Sequence, residues 1–491
     1  MHLFLEKDDE IRLVIVKQFS NAVNQWLTRN ELAKLVGVSQ KKISTLINSI
    51  NDDLANVYGE KVYAIESCSG KGYCLEKGPA TFKKLEIYYY NRSLAFLFIK
   101  KILFDQKKST IEFCLENYTS FATLNRKLRR IAPILNLYDL KLNVSKGQLQ
   151  GKEVRIRQFY YEVLKNIYGT YEWPIKAIEK TILDQQIEQL NVETKSEFSF
   201  VERYIMEIYL AIAVIRIRQH HYVDSDFAEY NWLTNHPLYE IVHHFVNLQF
   251  KQLNETVSDL ESEYLIFLFI TSMRIDRSED AVKKEVAFFK DNNIREYMLV
   301  KRLQNNLIAH YENEKQLKAE QLAYILTRRV ILLENFGHID DIQEMETYLN
   351  KQQDKYPKFY SFVKEAVFKL MSGDLNFYQM EQLLTEIIPI LKVNIPVAEY
   401  ENPIKIGLFY ETGTAQQYIA QNKIVEQINR KVIFETNEQN LENMDIIIVD
   451  EKNFQGIKEQ VDPDVPIISF DSVFNDNSVN KLSRAIENMG R

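Results

Sequence analysis

Residues 28–54, TRNELAKLVGVSQKKISTLINSINDDL, encode a short helix, a tight turn and a second helix within 27 residues. Thr28 is placed to cap the first helix, with Glu31 three residues on as its capping-box partner. Gly37 supplies permissive backbone at the turn, and Ser39 is placed to cap the second helix. Ala33 is small where two helices must approach, and Ile43, Leu46, Ile47 and Ile50 form one apolar stripe at helical spacing. This pattern predicts a helix-turn-helix. The stripe leaves Gln40, Lys41, Lys42, Ser44, Thr45 and Asn48 as a polar and basic set suited to base edges and phosphates.

The following VYAIESCSGKGYCL alternates and turns at Ser69-Gly70-Lys71-Gly72, predicting a hairpin wing with Lys71 at its tip. Cys68 and Cys74 flank that turn without a His or further Cys to complete a zinc site, so both read as packing residues. After one long predicted helix, PATFKKLEIYYYNRSLAFLFIKKILFDQ, the plan repeats in STIEFCLENYTSFATLNRKLRRIAPIL. Leu124, Leu128, Ile131 and Leu135 share a helical face there, with Thr119 or Ser120 as cap. Thr123, Arg126, Lys127, Arg129 and Arg130 are the candidate contacts to duplex phosphates and grooves. Asn117 stands where a turn glycine is expected, and Pro133 is expected to end or kink the helix. LKLNVSKGQLQG predicts a second wing exposing Lys141 and Lys146.

Charge supports this reading of the front of the chain. The 491 residues carry a net charge of −7, yet residues 81–160 hold 16 Lys/Arg against 6 Asp/Glu. Such a stretch is suited to meeting an anion. Length allows several domains, each with its own core. Only 14 Gly and 10 Pro argue against low-complexity disorder, and three cysteines are too few for a disulfide framework, so a reducing cytoplasm is the expected location. No secretory leader or membrane span is legible. Neither are a Walker loop, an HExxH motif, a serine nucleophile elbow or a metal-ligand cluster, so no cofactor or metal is expected.

Two winged units in tandem, the second running into GKEVRIRQFYYEVL, resemble the DNA-binding half of Mga/AtxA-type virulence regulators of Gram-positive bacteria. That resemblance implies two all-α PTS-regulation domains followed by an enzyme IIB-like domain. Long amphipathic helices over about 165–395, including VERYIMEIYLAIAVIRIRQ and SEYLIFLFITSMRI, fit the first expectation. TNHPLYEIVHHF is similar to the Asn-Pro-Leu turn of such a domain, and KYPKFYSFVKEAVFKL to the helix after that turn in a second copy. In this family histidines accept phosphate from the sugar phosphotransferase system, which needs an accessible imidazole nitrogen. Aligned with the family, Tyr209 and Leu268 occupy two histidine slots. The remaining candidate phosphoacceptors are His220, His221, His243 and His244, with His310 and His338 behind them; paired surface or core-edge histidines are the alternative.

From residue 403 short β-type runs alternate with helices, in IKIGLFY, KVIFET, MDIIIVD and VPIISFD, predicting a small parallel sheet. It is similar to enzyme IIB, whose phosphocarrier cysteine follows the first strand. Tyr410-Glu411-Thr412-Gly413-Thr414 stand there instead, so a thiolate carrier is excluded at that position. The expected fold class is thus a mainly α multidomain chain. It has winged helix-turn-helix domains at 1–78 and 79–164, PTS-regulation domains at 165–280 and 281–396, and an α/β domain with a parallel sheet at 397–491. The expected function is non-enzymatic: a transcription regulator, activating virulence or sugar-responsive genes, that binds double-stranded DNA. It would form a homodimer through its C-terminal domain and respond to phosphocarrier proteins of the phosphotransferase system. The alternative is an RNA-binding antiterminator, which would need a β-rich N-terminal module that residues 28–54 do not offer.

Overall fold

A computed structural model describes the chain except for residues 23, 61, 105–108, 195–197, 224–231, 253–257, 273–278, 313–319, 337–341, 410–413, 428–430, 437, 471–480, 483–484 and 487–491. It divides into two compact units, one of Met1–Ser278 with Phe336–His338, the other of Glu279–Asn335 with Ile339–Arg491.

The first unit opens with α1 (Lys7–Asn21), then α2 (Arg29–Val36) and α3 (Gln40–Tyr58). The capping box predicted for Thr28 and Glu31 forms, with Thr28 Oγ1 accepting from Glu31 N–H at 3.2 Å and Glu31 Oε2 accepting from Thr28 N–H at 2.7 Å. Gly37 ends α2 at φ +66°, and Ser39 caps α3. Strands β1 (Glu66–Cys68) and β2 (Gly72–Cys74) pair antiparallel, and Tyr73 pairs in turn with Leu27. Gly72 is required for that join, because a Cβ at its φ of +104° would sit 2.3 Å from Leu27 O. Cys74 is buried there, but Cys68 is exposed, correcting its assignment as a packing residue.

The single long helix expected next is two, α4 (Lys83–Arg92) and α5 (Leu94–Phe104). Ser93 breaks them by taking extended backbone, its hydroxyl donating to Phe4 O. Then come α6 (Thr110–Glu116), α7 (Phe121–Leu128), a single 3₁₀ turn at Arg129–Ile131 and α8 (Ala132–Leu137). Pro133 lies in the first turn of α8, where its missing N–H costs no helical hydrogen bond, so the helix is interrupted before it. A second hairpin follows, β3 (Lys141–Asn143) with β4 (Gln148–Gln150).

Helix α9 (Glu153–Tyr168) is buried along almost every face, as is α11 (Phe200–Arg218). The amphipathic character expected of the latter is therefore replaced by that of a central core helix. The two meet through a buried ionic cluster. Arg157 of α9, 1% exposed, donates two hydrogen bonds to Glu261 at 2.6 and 2.8 Å; Arg216 of α11 donates two to Glu153 at 2.8 and 2.7 Å, and Arg157 Nε reaches Glu153 at 3.0 Å. Glu261 lies in the first turn of α13 (Asp259–Ser272) and also accepts from Val223 N–H. Helices α10 (Lys180–Thr194) and α12 (Tyr239–Gln252) also belong to this unit.

In the second unit, helices including α14 (Glu279–Asp291), α15 (Arg295–Tyr311), 320–336, 342–355, 357–371 and 377–394 precede a sheet. Val300, Leu307, Val330, Val363, Leu383 and Ile387 lie in their common core. Glu401 caps the helix that starts at Pro357, accepting from Phe359 N–H at 2.8 Å. Strands β5 (Ile404–Phe409), β6 (Val432–Glu435), β7 (Ile446–Asp450) and β8 (Ile467–Phe470) form an all-parallel sheet in the order β6-β5-β7-β8. One apolar core lies around Ile406, Leu408, Ile424 and Ile448, a second around Phe409, Ile447, Val449 and Ile457, as a sheet covered on both sides requires.

Candidate nucleic-acid interface

The two helix-turn-helix units superimpose in sequence position at a constant offset. Thr28 and Ser109 cap their first helices with Glu31 and Glu112, and Ser39 and Ser120 cap their second. Gly37, at φ +66°, corresponds to Tyr118, at φ +49°. The left-handed turn position of the second unit is therefore Tyr118, and not Asn117, whose φ is −102°.

On α3 the apolar stripe Ile43, Leu46, Ile47 and Ile50 is buried to 2% or less, so the opposite face is fixed outward. Gln40, Lys41, Thr45 and Asn48 are exposed, while Lys42 and Ser44 are half-buried. Ser44 accepts a hydrogen bond from the Tyr73 hydroxyl at 3.1 Å, tying the helix to the wing. Lys42 pairs with Asp8 at 2.6 Å, both about half exposed, a surface pair worth under about 1 kcal/mol that a phosphate can displace. Lys71 stands exposed at the wing tip, 5.8 Å above the ring of Trp26. The sequence reading missed Arg29, exposed at the start of α2 with its guanidinium 5.9 Å over the Tyr73 ring.

On α7 and the turn after it, Leu124, Leu128 and Ile131 are buried. The bases there divide. Arg126 and Arg129 are exposed, occupying the positions that Thr45 and Asn48 hold in the first unit. Lys127 instead pairs with Glu6, and Arg130 donates to Leu5 O at 2.7 Å and Glu10 at 3.2 Å. These two fasten the N-terminal segment to the second unit. Thr123 is half-buried, its N–H donating to Ser120 Oγ at 3.1 Å. Lys141 and Lys146 are exposed on the second wing. Other bases of the 81–160 stretch turn inward: Arg92 joins Asp9 and Asp53, Arg157 lies in the buried cluster, and burial holds the Lys100 ammonium below its usual pKa. The outward cation set is thus smaller than a count of Lys and Arg implies.

The family's first histidine slot holds Tyr209, 6% exposed and stacked on Tyr161 at 3.8 Å, its hydroxyl donating to Gln158; Leu268 is wholly buried. His220 and His244 are exposed. Burial and then Arg216 push the half-buried His221 imidazole below its usual pKa, so it favours the neutral form. His243 stacks on Tyr239 and meets Asn247 at 3.0 Å. In the second unit His310 stacks on Phe362 at 3.6 Å. His338 and Tyr410–Gly413 lie outside the described residues. Among the described residues no helix is long and apolar enough to cross a membrane, and no His, Cys, Asp and Glu group could hold a metal ion.

Residues 79–164 match the model of the Mga helix-turn-helix domain. The capsule synthesis positive regulator AcpB of Bacillus anthracis is 24% identical over 324 residues, covering 65% of this chain and 64% of AcpB. The capsule synthesis positive regulator AcpA of the same organism is 23% identical over 369 residues, covering 74% of this chain and 73% of AcpA. The resemblance to Mga/AtxA-type regulators is therefore met twice over, in a Mga helix-turn-helix domain and in homologues named as positive regulators of capsule synthesis.

Proposed function

We propose that this chain is a transcription regulator that binds duplex DNA through both helix-turn-helix units, with α3 and α7 as the groove-facing helices and the two hairpins as wings. One observation carries the reading. Two elements of the same plan, each with a buried apolar stripe, turn polar or basic side chains outward at equivalent positions: Thr45 and Asn48 on α3, Arg126 and Arg129 at and just beyond the end of α7. Lys41, Lys71 and Lys146 extend the cationic surface. Phosphate contacts from these side chains would supply most of the affinity, and DNA shape much of the preference.

In this reading residues 165–396 are two PTS-regulation domains and 397–491 an enzyme IIB-like domain that forms the homodimer. The accessible imidazoles of His220 and His244 are the first candidates for phosphate from phosphocarrier proteins, ahead of His221 and His243. The homologues named as positive regulators support activation of target genes.

The test is binding of the full chain to duplex DNA over a salt series. With five to seven phosphate contacts, the logarithm of affinity should fall with the logarithm of salt at a slope of about −5 to −6. A flat response, or preference for structured RNA over duplex in direct competition, would overturn the reading.

A further inference from the structure

The two helix-turn-helix units meet at one joint. Helix α4 packs against α3 of the first and α5 against α7 of the second, and α4 runs into α5 through Ser93 alone, which takes extended backbone at φ −75° and ψ 125°. A single non-helical residue between two rigid helices is where a hinge would lie, because a change in its φ and ψ swings everything beyond it. With that joint free, the units could part or twist, and one chain would accept reading sites at many separations.

The start of the chain closes the joint. Phe4, 1% exposed, packs edge-on against Phe96 just beyond it, and its carbonyl accepts from the Ser93 hydroxyl. Arg92, just before it, donates to Asp9 of α1 at 2.9 Å and to Asp53 of α3 at 2.8 Å. Glu6 pairs with Lys127 and Glu10 with Arg130, whose guanidinium also reaches Leu5 O at 2.7 Å. Helix α1 itself lies against α2 and α3. Residues 2–10 thus hold the first unit through α1 and the second through Phe4, Glu6 and Glu10, with Ser93 pinned between. Burial of the Phe4 ring and charged hydrogen bonds of fixed direction make this a brace, not a loose tether.

We propose that residues 2–10 set the spacing and helical phase at which the two units engage a duplex, so that the DNA partner is a bipartite site of one fixed separation. Half-site spacing then follows from the protein's own geometry. Glu6, Asp9 and Glu10 are positioning residues in this scheme, acting through the bases they hold and not through contact with DNA. The inference rests on the proposed function; the pinned joint does not.

The test uses a duplex that the full wild-type chain selects from a random-sequence pool and protects from cleavage, with and without 2 bp inserted between the two protected segments. Such an insertion turns one segment by about 70° and moves it about 7 Å relative to the other. Wild type should lose tenfold or more in affinity on insertion. Glu6→Lys should show a penalty at least threefold smaller, and Glu6→Lys/Lys127→Glu, which restores the pair with its charges exchanged, should recover the wild-type penalty. Each penalty is a ratio for one protein, so the altered net charge cancels. If Glu6→Lys melts below the assay temperature, the milder Glu6→Gln/Glu10→Gln carries the same expectation. A wild-type penalty under tenfold, one protected segment in place of two, or equal penalties in wild type and the brace variants overturns the proposal while leaving duplex binding intact. No duplex binding by wild type at all would defeat the DNA reading, and this proposal with it.

Discussion

The two helix-turn-helix units have the same caps, the same turn geometry and the same buried stripe, yet they use their surfaces differently. In the first, α3 keeps Lys41, Thr45 and Asn48 exposed, and its proposed reader positions Thr45 and Asn48 are neutral. In the second, the proposed reader positions are Arg126 and Arg129, while Lys127 and Arg130 hold the N-terminal segment and Arg157 anchors the following helices. One local plan therefore yields a helix with a neutral exposed edge in one copy and a structural hub with a charged edge in the other. A basic residue in such a domain is not evidence of a phosphate contact until its own partners are known.

The contrast is broken most forcefully at the hub. Arg157→Met leaves Glu261, 0% exposed, without the guanidinium that neutralises it, and removing one partner of a buried pair typically costs 3–5 kcal/mol. Arg92→Met, where the partners Asp9 and Asp53 keep Arg12 close by and Arg92 is 31% exposed, should cost about half as much or less. Denaturant unfolding of the two variants measures both. Equal losses would mean that the buried cluster around Arg157 is no more of a hub than the half-buried one that Arg92 forms with Asp9 and Asp53.

Much of this was legible from the sequence, for a physical reason. Caps and turns are decided by residues three or four positions apart, so Thr28 with Glu31, Gly37 and Ser39 could be read directly, as could the β-type runs of the parallel sheet. What was not legible depends on partners far along the chain. Ser93 interrupts a good helical run because its hydroxyl finds Phe4 O, and Lys127 and Arg130 turn inward because Glu6 and Glu10 are there. Tyr118 was missed although a signal existed, since aligning Ser39 with Ser120 places it on Gly37. Tyrosine rarely takes a positive φ and asparagine often does, so residue type points to Asn117 instead.

The next largest effect concerns affinity. Arg126→Ala/Arg129→Ala should lower duplex affinity by about 2–3 kcal/mol near 0.1 M salt and reduce the salt slope by about 2, since each phosphate contact contributes about one to it. Thr45→Ala/Asn48→Ala should leave the slope unchanged and alter only which duplexes are preferred. Lys127→Ala should lower the melting temperature without changing the slope. A salt slope that responds to Lys127 as strongly as to Arg126 would erase the division between fastening and contacting bases.

The smallest effects, about 1 kcal/mol each, lie at the turns, and they should carry opposite signs. Gly37→Ala places a Cβ in left-handed backbone, where no heavy atom lies within 4 Å, so its cost is conformational alone, about 1 kcal/mol. Tyr118→Gly releases the corresponding strain in the second unit, while glycine's greater freedom in the unfolded chain takes back part of the gain, leaving a net stabilisation of a few tenths to 1 kcal/mol. Thermal unfolding of the two variants side by side decides it, because shared geometry with different occupants requires one to fall and the other to rise. If Tyr118→Gly destabilises as Gly37→Ala does, the left-handed backbone at Tyr118 is not a source of strain, and the two turns differ in energy although they share their geometry.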